Sequence, residues 1–398
     1  MADSEWGLEG VLFTTDFEYS NKRNYKKGFV FTAIGSVFFA IVIVSLLVFS
    51  SLLGVVSEVI SEWEGYYEIT DFSDNEEFGY RLDVNSNDYI NLAANKYPYS
   101  NLNLYPDFSS TVNIHGELIS DRGWFTGGSG VIISSYWILT AAHVVEDLLI
   151  SETYVYVGDD YENYDNIRSV KEIHIHPGWN MNNDNEDILD FGVDIALIRL
   201  SSPINQINPS LWANSKGIDD DALSQLIYTS GFGDYDSESA NCSESCLEDG
   251  DGFFSQKRAW SNTLDRINDN LAPSRNYQGK GDWKGGLIAY DFDSPSEIHN
   301  SLSKSGNEKS NKYGYFPYAG TGSSSPGPQE LEGVSVPGDS GGPTFTLIDN
   351  QWYVVGITSF GLTDTGDYGE VSFDTRVSVH SDWICSISDS GTVRIDGC

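Results

Sequence analysis

The sequence predicts an all-β sandwich or barrel preceded by one transmembrane helix, and three observations lead there. From Thr111 onward the chain breaks into short alternating or β-branched runs, at 111–118, 130–139, 153–157, 195–200 and 351–357. Clusters of Gly, Asn, Asp and Ser separate these runs, which is the pattern of many short strands joined by turns. The third observation lies far upstream. From Gly28 to Ser57 there is no charged residue, and Ile41, Val42, Ile43, Val44, Leu46, Leu47 and Val48 form its centre. A stretch of that length crosses a bilayer.

The flanks of the apolar stretch give its orientation. Lys22, Arg23, Lys26 and Lys27 precede it, and Glu58, Glu62, Glu64, Glu68 and Asp71 follow it. The positive side stays in the cytoplasm, so residues beyond 57 are expected outside. The run is longer than a cleavable signal's apolar region and lacks a small-residue cleavage site, so a retained anchor is expected. Lys26-Lys27-Gly28-Phe29 also resembles the processing site of type IV pilin-like signals, although Ala33 stands where those carry an acid. Residues 58–107 are acidic, aromatic and broken by Asn, Ser and Pro, as a stalk or linker would be. The expected organisation is a cytoplasmic tail at 1–27, the helix at 28–57, the stalk at 58–107 and the β domain at 108–398.

Composition narrows the partners. The 398 residues carry 59 acidic against 22 basic side chains, a formal charge of −37. Nucleic acid is therefore excluded as a partner held by its phosphate backbone. So acidic a surface suits concentrated salt, while solvated acidic loops such as 184–186 explain it equally well. Four cysteines allow three pairings. Their grouping into two local couples favours Cys242 with Cys246 and Cys385 with Cys398, outside the reducing cytosol. A metal site at Cys242 and Cys246 has no neighbouring His or second Cys couple to complete it.

Within the β region stand three motifs in order: Thr140-Ala141-Ala142-His143, Asp194-Ile195-Ala196-Leu197-Ile198-Arg199-Leu200 and Gly338-Asp339-Ser340-Gly341-Gly342-Pro343. A serine hydroxyl is too weak an acid to attack an amide unaided, so a neutral imidazole must take its proton. A carboxylate then holds the imidazole's tautomer and stabilises the imidazolium. His143, Asp194 and Ser340 are the residue types this chemistry needs.

The three motifs resemble the chymotrypsin-like serine protease family, whose chain order is also His, Asp, Ser. The likeness extends to 128–139 before the histidine, to Ser230-Gly231-Phe232-Gly233, to 355–361 and to 373–384, and covers roughly Phe108 to the end. It implies two six-stranded antiparallel β-barrels with a short C-terminal helix. It also implies a serine endopeptidase acting on protein or peptide substrates, with the N–H groups of Gly338 and Ser340 as the oxyanion hole and no cofactor. By the same alignment the primary pocket carries Val334 at its base, Ser359, Gly361 and Ser372 on its walls, and Asp374 near its floor. Val334 removes the acid that gives a basic preference and favours apolar or small side chains, whereas an inward-facing Asp374 would restore it.

Several features depart from that family or compete with it. The segment 234–337 is longer than the family needs, so extra loops are expected near the cleft. Many relatives pair a newly freed Ile or Val terminus with the aspartate matching Asp339, yet 97–104 holds no such tetrapeptide. Either the chain is cut there at another sequence, or other contacts hold the site formed. His174 and His176 on one strand suggest a metal pair, but the stretch also resembles an ordinary surface strand; Asp291-Phe292-Asp293 suggests a calcium site. The competing function is a non-catalytic surface or pilus-associated binding module on the same scaffold.

Overall fold

The computed structural model describes residues 79–96, 104–159, 166–179, 192–233, 256–268, 286–295, 299–302, 323–324, 327–361, 366–390 and 393–398. The expected membrane helix at 28–57 and the couple Cys242–Cys246 lie outside them. Among the described residues no helix is long and apolar enough to cross a membrane.

Within the interval read as a stalk, Asn85 accepts a hydrogen bond from the N–H of Asn87 and starts α1 (Ser86–Ala93). Such a cap satisfies one of the donors a helix start leaves unpaired. The helix buries Tyr89, Leu92 and Ala93. Burial of that face, rather than intrinsic propensity, stabilises so short a helix.

The first sheet follows a 3-10 turn at Phe108–Ser110. It comprises β1 (Thr111–Leu118), β2 (Phe125–Ser134), β3 (Trp137–Thr140), β4 (Leu148–Tyr156), β5 (Ile167–Ile175) and β6 (Ala196–Leu200), with the short helix α2 (Ala142–Val145) between β3 and β4. These six strands close into an antiparallel barrel, as the resemblance implies, in the order β1-β2-β3-β6-β5-β4. Thr111, Val112, Asn113 and Ile114 of β1 are all buried. The reason is a second neighbour outside the barrel, where the Thr111 hydroxyl meets the Ser230 hydroxyl at 2.7 Å.

The second sheet corrects the expectation of six antiparallel strands. β7 (Leu211–Trp212), β8 (Leu226–Gly231), β9 (Arg258–Thr263), β10 (Arg266–Asn268), β11 (Leu287–Asp291), β12 (Pro343–Ile348), β13 (Gln351–Gly361) and β14 (Val371–Arg376) make eight strands. Their path is β10-β11-β14-β13-β12-β8-β9, and β7 joins β13 in parallel. Two local causes add strands. The run from 258 to 268 breaks at Leu264 and Asp265, and Trp212 anchors β7 by donating its indole N–H to Asp396 O at 2.7 Å.

A 3-10 turn at Val377–His380 leads into α3 (Ser381–Ser390). Cys385 and Cys398 form the disulfide that their spacing suggests, and it ties the tail to α3. Trp137 of the first sheet donates its indole N–H to Val393 O, so the tail reaches both sheets. Trp137, Trp212 and Trp260 are almost wholly buried. Cutting any of them to alanine costs about 3–5 kcal/mol by the usual scale for such rings.

Candidate active site

His143 sits on α2, immediately after β3, where the chain leaves the first barrel. Asp194 lies two residues before β6 and is fully buried. Its two carboxylate oxygens grip one residue. Oδ1 accepts the backbone N–H of His143 at 2.9 Å, and Oδ2 lies 2.7 Å from His143 Nδ1. This double contact fixes both the position and the rotation of the imidazole. It also places the carboxylate to stabilise a proton gained at the other ring nitrogen.

Two further hydroxyls steady Asp194. Ser359 Oγ donates to Oδ2 at 2.6 Å, and Thr375 Oγ1 donates to the Asp194 carbonyl at 2.9 Å. Hydrogen bonds to an ionised acceptor are among the stronger ones. The sequence places Ser359 on the pocket wall, and in the structure its hydroxyl also serves the aspartate.

Ser340 is held where the two sheets meet. Ser129 N–H donates to Ser340 O at 2.7 Å, and Ser129 Oγ donates to Gly338 O at 2.9 Å. A side chain at Gly128 would fall 2.8 Å from Ser340 O and 3.0 Å from the Val144 methyls, so the Ser340 loop and the helix of His143 flank the same glycine. Gly341 N–H donates to Thr358 O and Thr358 N–H to Gly342 O, which fastens the loop to β13. Gly338 has φ +97° and Gly341 φ +83°, conformations that favour glycine. At Gly341 space is closed as well, since an added Cβ would overlap Thr140 Oγ1 and Ser129 O. Among the described residues nothing takes the N–H of Gly338 or of Ser340.

Asp339 turns the other way. Its buried carboxylate accepts Gly233 N–H at 2.7 Å and Val336 N–H at 3.0 Å. Neither Gly231 nor Gly233 has room for a side chain beside it.

The expected pocket residues adjoin one another. Ser372 pairs with Gly361 and Asp374 with Thr358 across β13 and β14. Ser372 Oγ meets Ser335 Oγ at 2.7 Å, next to the fully buried Val334. Asp374 differs from an exposed pocket floor. It is fully buried, Thr344 Oγ1 donates to its Oδ2 at 2.5 Å, and among the described residues Oδ1 has no partner. Burial pushes this carboxyl up to about 7, with the Thr344 hydroxyl pulling weakly the other way.

A family model described as Trypsin matches residues 111–251 and 329–384. This stretch of the chain is a trypsin-family domain. The chain is 38% identical to a calcium-dependent serine proteinase of Mesocricetus auratus over 85 residues, 20% of this chain and 12% of that protein. It is 40% identical to a complement C1s-1 subcomponent of Mus musculus over 82 residues, 19% of this chain and 12% of the other. It is 32% identical to chymotrypsin-like elastase family member 1 of Rattus norvegicus over 96 residues, 23% and 34% of the two chains. The chain thus spans well under two thirds of the length of these curated relatives. A solved structure of HL collagenase matches with a TM-score of 0.43 and 17% identity, covering 71% of this chain and 94% of that one.

In this trypsin-family domain the suggested metal ligands have other company. His174 lies 3.2 Å from Glu172 and against Trp137, whereas His176 is buried against His380 and Trp383. Burial, with a smaller contribution from His380, pushes His176 down to about 2, so it stays neutral. Asp291 accepts from Leu302 N–H and from the Ser324 hydroxyl, and it shares a hydrogen bond with Asp265. Burial raises both of these carboxyls. Among the described residues no group of three or more His, Cys, Asp or Glu side chains is arranged to hold a metal ion.

Ser129, Thr344 and Thr375 escaped the sequence reading. Ser129 follows Gly127-Gly128 in a segment the resemblance covers, so its position was marked though its role was not. The two threonines stand in ordinary strand sequence and carry no local signal.

Proposed function

We propose that the chain is a serine endopeptidase working through an acyl-enzyme. His143 takes the Ser340 proton as the hydroxyl attacks the peptide carbonyl and then gives it to the leaving amine. Asp194 holds the imidazole and balances its charge. The N–H groups of Gly338 and Ser340 receive the oxyanion, a role that such donors fill with little reorganisation. The observation that carries this reading is the two-point grip of buried Asp194 on His143.

The preference favours apolar or small side chains at the cleaved position. Val334 offers no charge, and Asp374 is withdrawn among β11, β12 and β13 with a carboxyl that burial pushes up to about 7. The apolar stretch at 28–57 anchors the enzyme, with its N-terminus cytoplasmic and the protease domain outside. Peptide reporters ending in alanine, leucine or arginine test the reading on the full chain beside Ser340→Ala. Cleavage of the first two, lost in the variant, is expected. Equal cleavage by variant and wild type would overturn the mechanism, and equal rates on arginine and leucine would overturn the preference.

A further inference from the structure

The Ser340 loop is continuous with residues 329–336, and a separate stretch, 366–370, leads into β14 and Ser372. The first carries Val334 and the second leads to Ser372, both residues of the expected pocket. Residues from the supposed stalk touch both of them.

Gly79 is the crossing point. Its carbonyl accepts Val334 N–H at 3.0 Å, and its own N–H donates to Gly366 O at 3.0 Å. Tyr80 forms an antiparallel bridge with Gly333. Arg81 Nη1 donates to Gln329 O at 2.6 Å, and Tyr89 Oη donates to Glu332 O at 2.8 Å. On the other side, Leu82 N–H donates to Tyr368 Oη at 3.0 Å.

The receiving glycines are fitted to this segment. A Cβ at Gly333 would lie 2.7 Å from Gly79 O, and one at Gly366 would lie 2.6 Å from Gly79 N. Gly366 also has φ +65°. Contact is therefore not confined to mobile side-chain tips; backbone meets backbone on both stretches, and Tyr89, Leu92 and Ala93 are buried to hold it there.

We infer that residues 79–93 are a positioning strap that binds together the stretch carrying Val334 and the stretch leading to Ser372, so that the expected pocket is formed in the uncut chain. The inference rests on the protease reading above. The strap touches these two stretches and not His143, Asp194 or Ser340, so its loss acts on substrate binding. It also accounts for a formed site without a freed terminus beside Asp339, whose carboxylate already accepts two backbone N–H groups.

The test uses the full chain with Arg81→Ala and Tyr89→Phe combined, which removes the side-chain bonds to the 329 and 332 carbonyls. The expected result is a KM for an alanine or leucine peptide raised about tenfold, the scale set by two lost hydrogen bonds. kcat and labelling by a small fluorophosphonate without a pocket side chain stay within about threefold. Amide exchange at Val334 quickens while β1 stays protected, which separates loosening from unfolding. Arg81→Lys with Tyr89 intact restores KM to within about threefold. An unchanged KM and unchanged Val334 exchange in a variant of an active wild type would overturn the strap and leave the protease reading standing. A wild-type chain that neither labels nor cleaves would overturn both.

Discussion

Replacing Asp374 with asparagine isolates one buried carboxyl and shows how pH acts on the fold. In the native chain this group is raised from the usual 3.8 to about 7, chiefly because burial disfavours its charged form. The unfolded chain ionises it near the ordinary value. Between those two points the folded state binds the extra proton, so stability falls as pH rises. A shift of about 3 units at 1.36 kcal/mol each corresponds to a loss on the order of 4 kcal/mol across the window. Asparagine has nearly the same shape and does not titrate. Glu332, which burial pushes up to about 8, contributes with the same sign, whereas His380, pushed down to about 4 by burial, contributes with the opposite sign. Both are present in wild type and variant, so they cancel in the difference between them. Urea unfolding of the two chains at steps from pH 4 to pH 8 is the assay. The account predicts that Asp374→Asn gains about 4 kcal/mol relative to wild type across that range, with most of the change complete by pH 7. A difference that stays flat within about 1 kcal/mol would refute the assignment of a buried, proton-holding carboxyl.

Ser359→Ala removes the hydroxyl that donates to Asp194 Oδ2. A hydrogen bond to a charged group is worth about 1.5–3 kcal/mol, so steady-state kinetics on a peptide substrate should show kcat down about 10- to 100-fold with KM little changed. Cys398→Ser opens a link between residues 13 apart in sequence. Chain-entropy arguments for a loop of that length give a loss of about 3 kcal/mol, to be read as a lower denaturant midpoint with catalysis intact.

How much was legible follows from where the information lies. His143, Asp194 and Ser340 stand out in the sequence because the proposed chemistry demands those residue types and the neighbouring motifs are local, and the contact of His143 with Asp194 follows that pattern. The bond from Ser359 to Asp194 was not legible because its partner stands 165 positions away, a pairing created only when β13 folds beside Asp194. The strand runs pointed to a sandwich or barrel, and the six-stranded first barrel followed from the family resemblance. The second was not fully so, since β7 is two residues long and carries no periodicity. α1 was hidden in an Asn- and Asp-rich stretch whose helical state depends on burying Tyr89, Leu92 and Ala93 against another part of the chain. The C-terminal disulfide was legible because its partners are close in sequence, whereas the burial of Asp374 depends on three strands at once.

The central claim is that Ser340 is a nucleophile activated by His143 and Asp194. Incubating the full chain with a fluorophosphonate probe, then mapping the modified peptide by mass spectrometry beside Ser340→Ala and His143→Ala, tests it most directly. The account predicts one covalent adduct, on Ser340, absent from the first variant and slowed by several orders of magnitude in the second. An unlabelled wild-type chain, or an adduct that persists in Ser340→Ala, would contradict it.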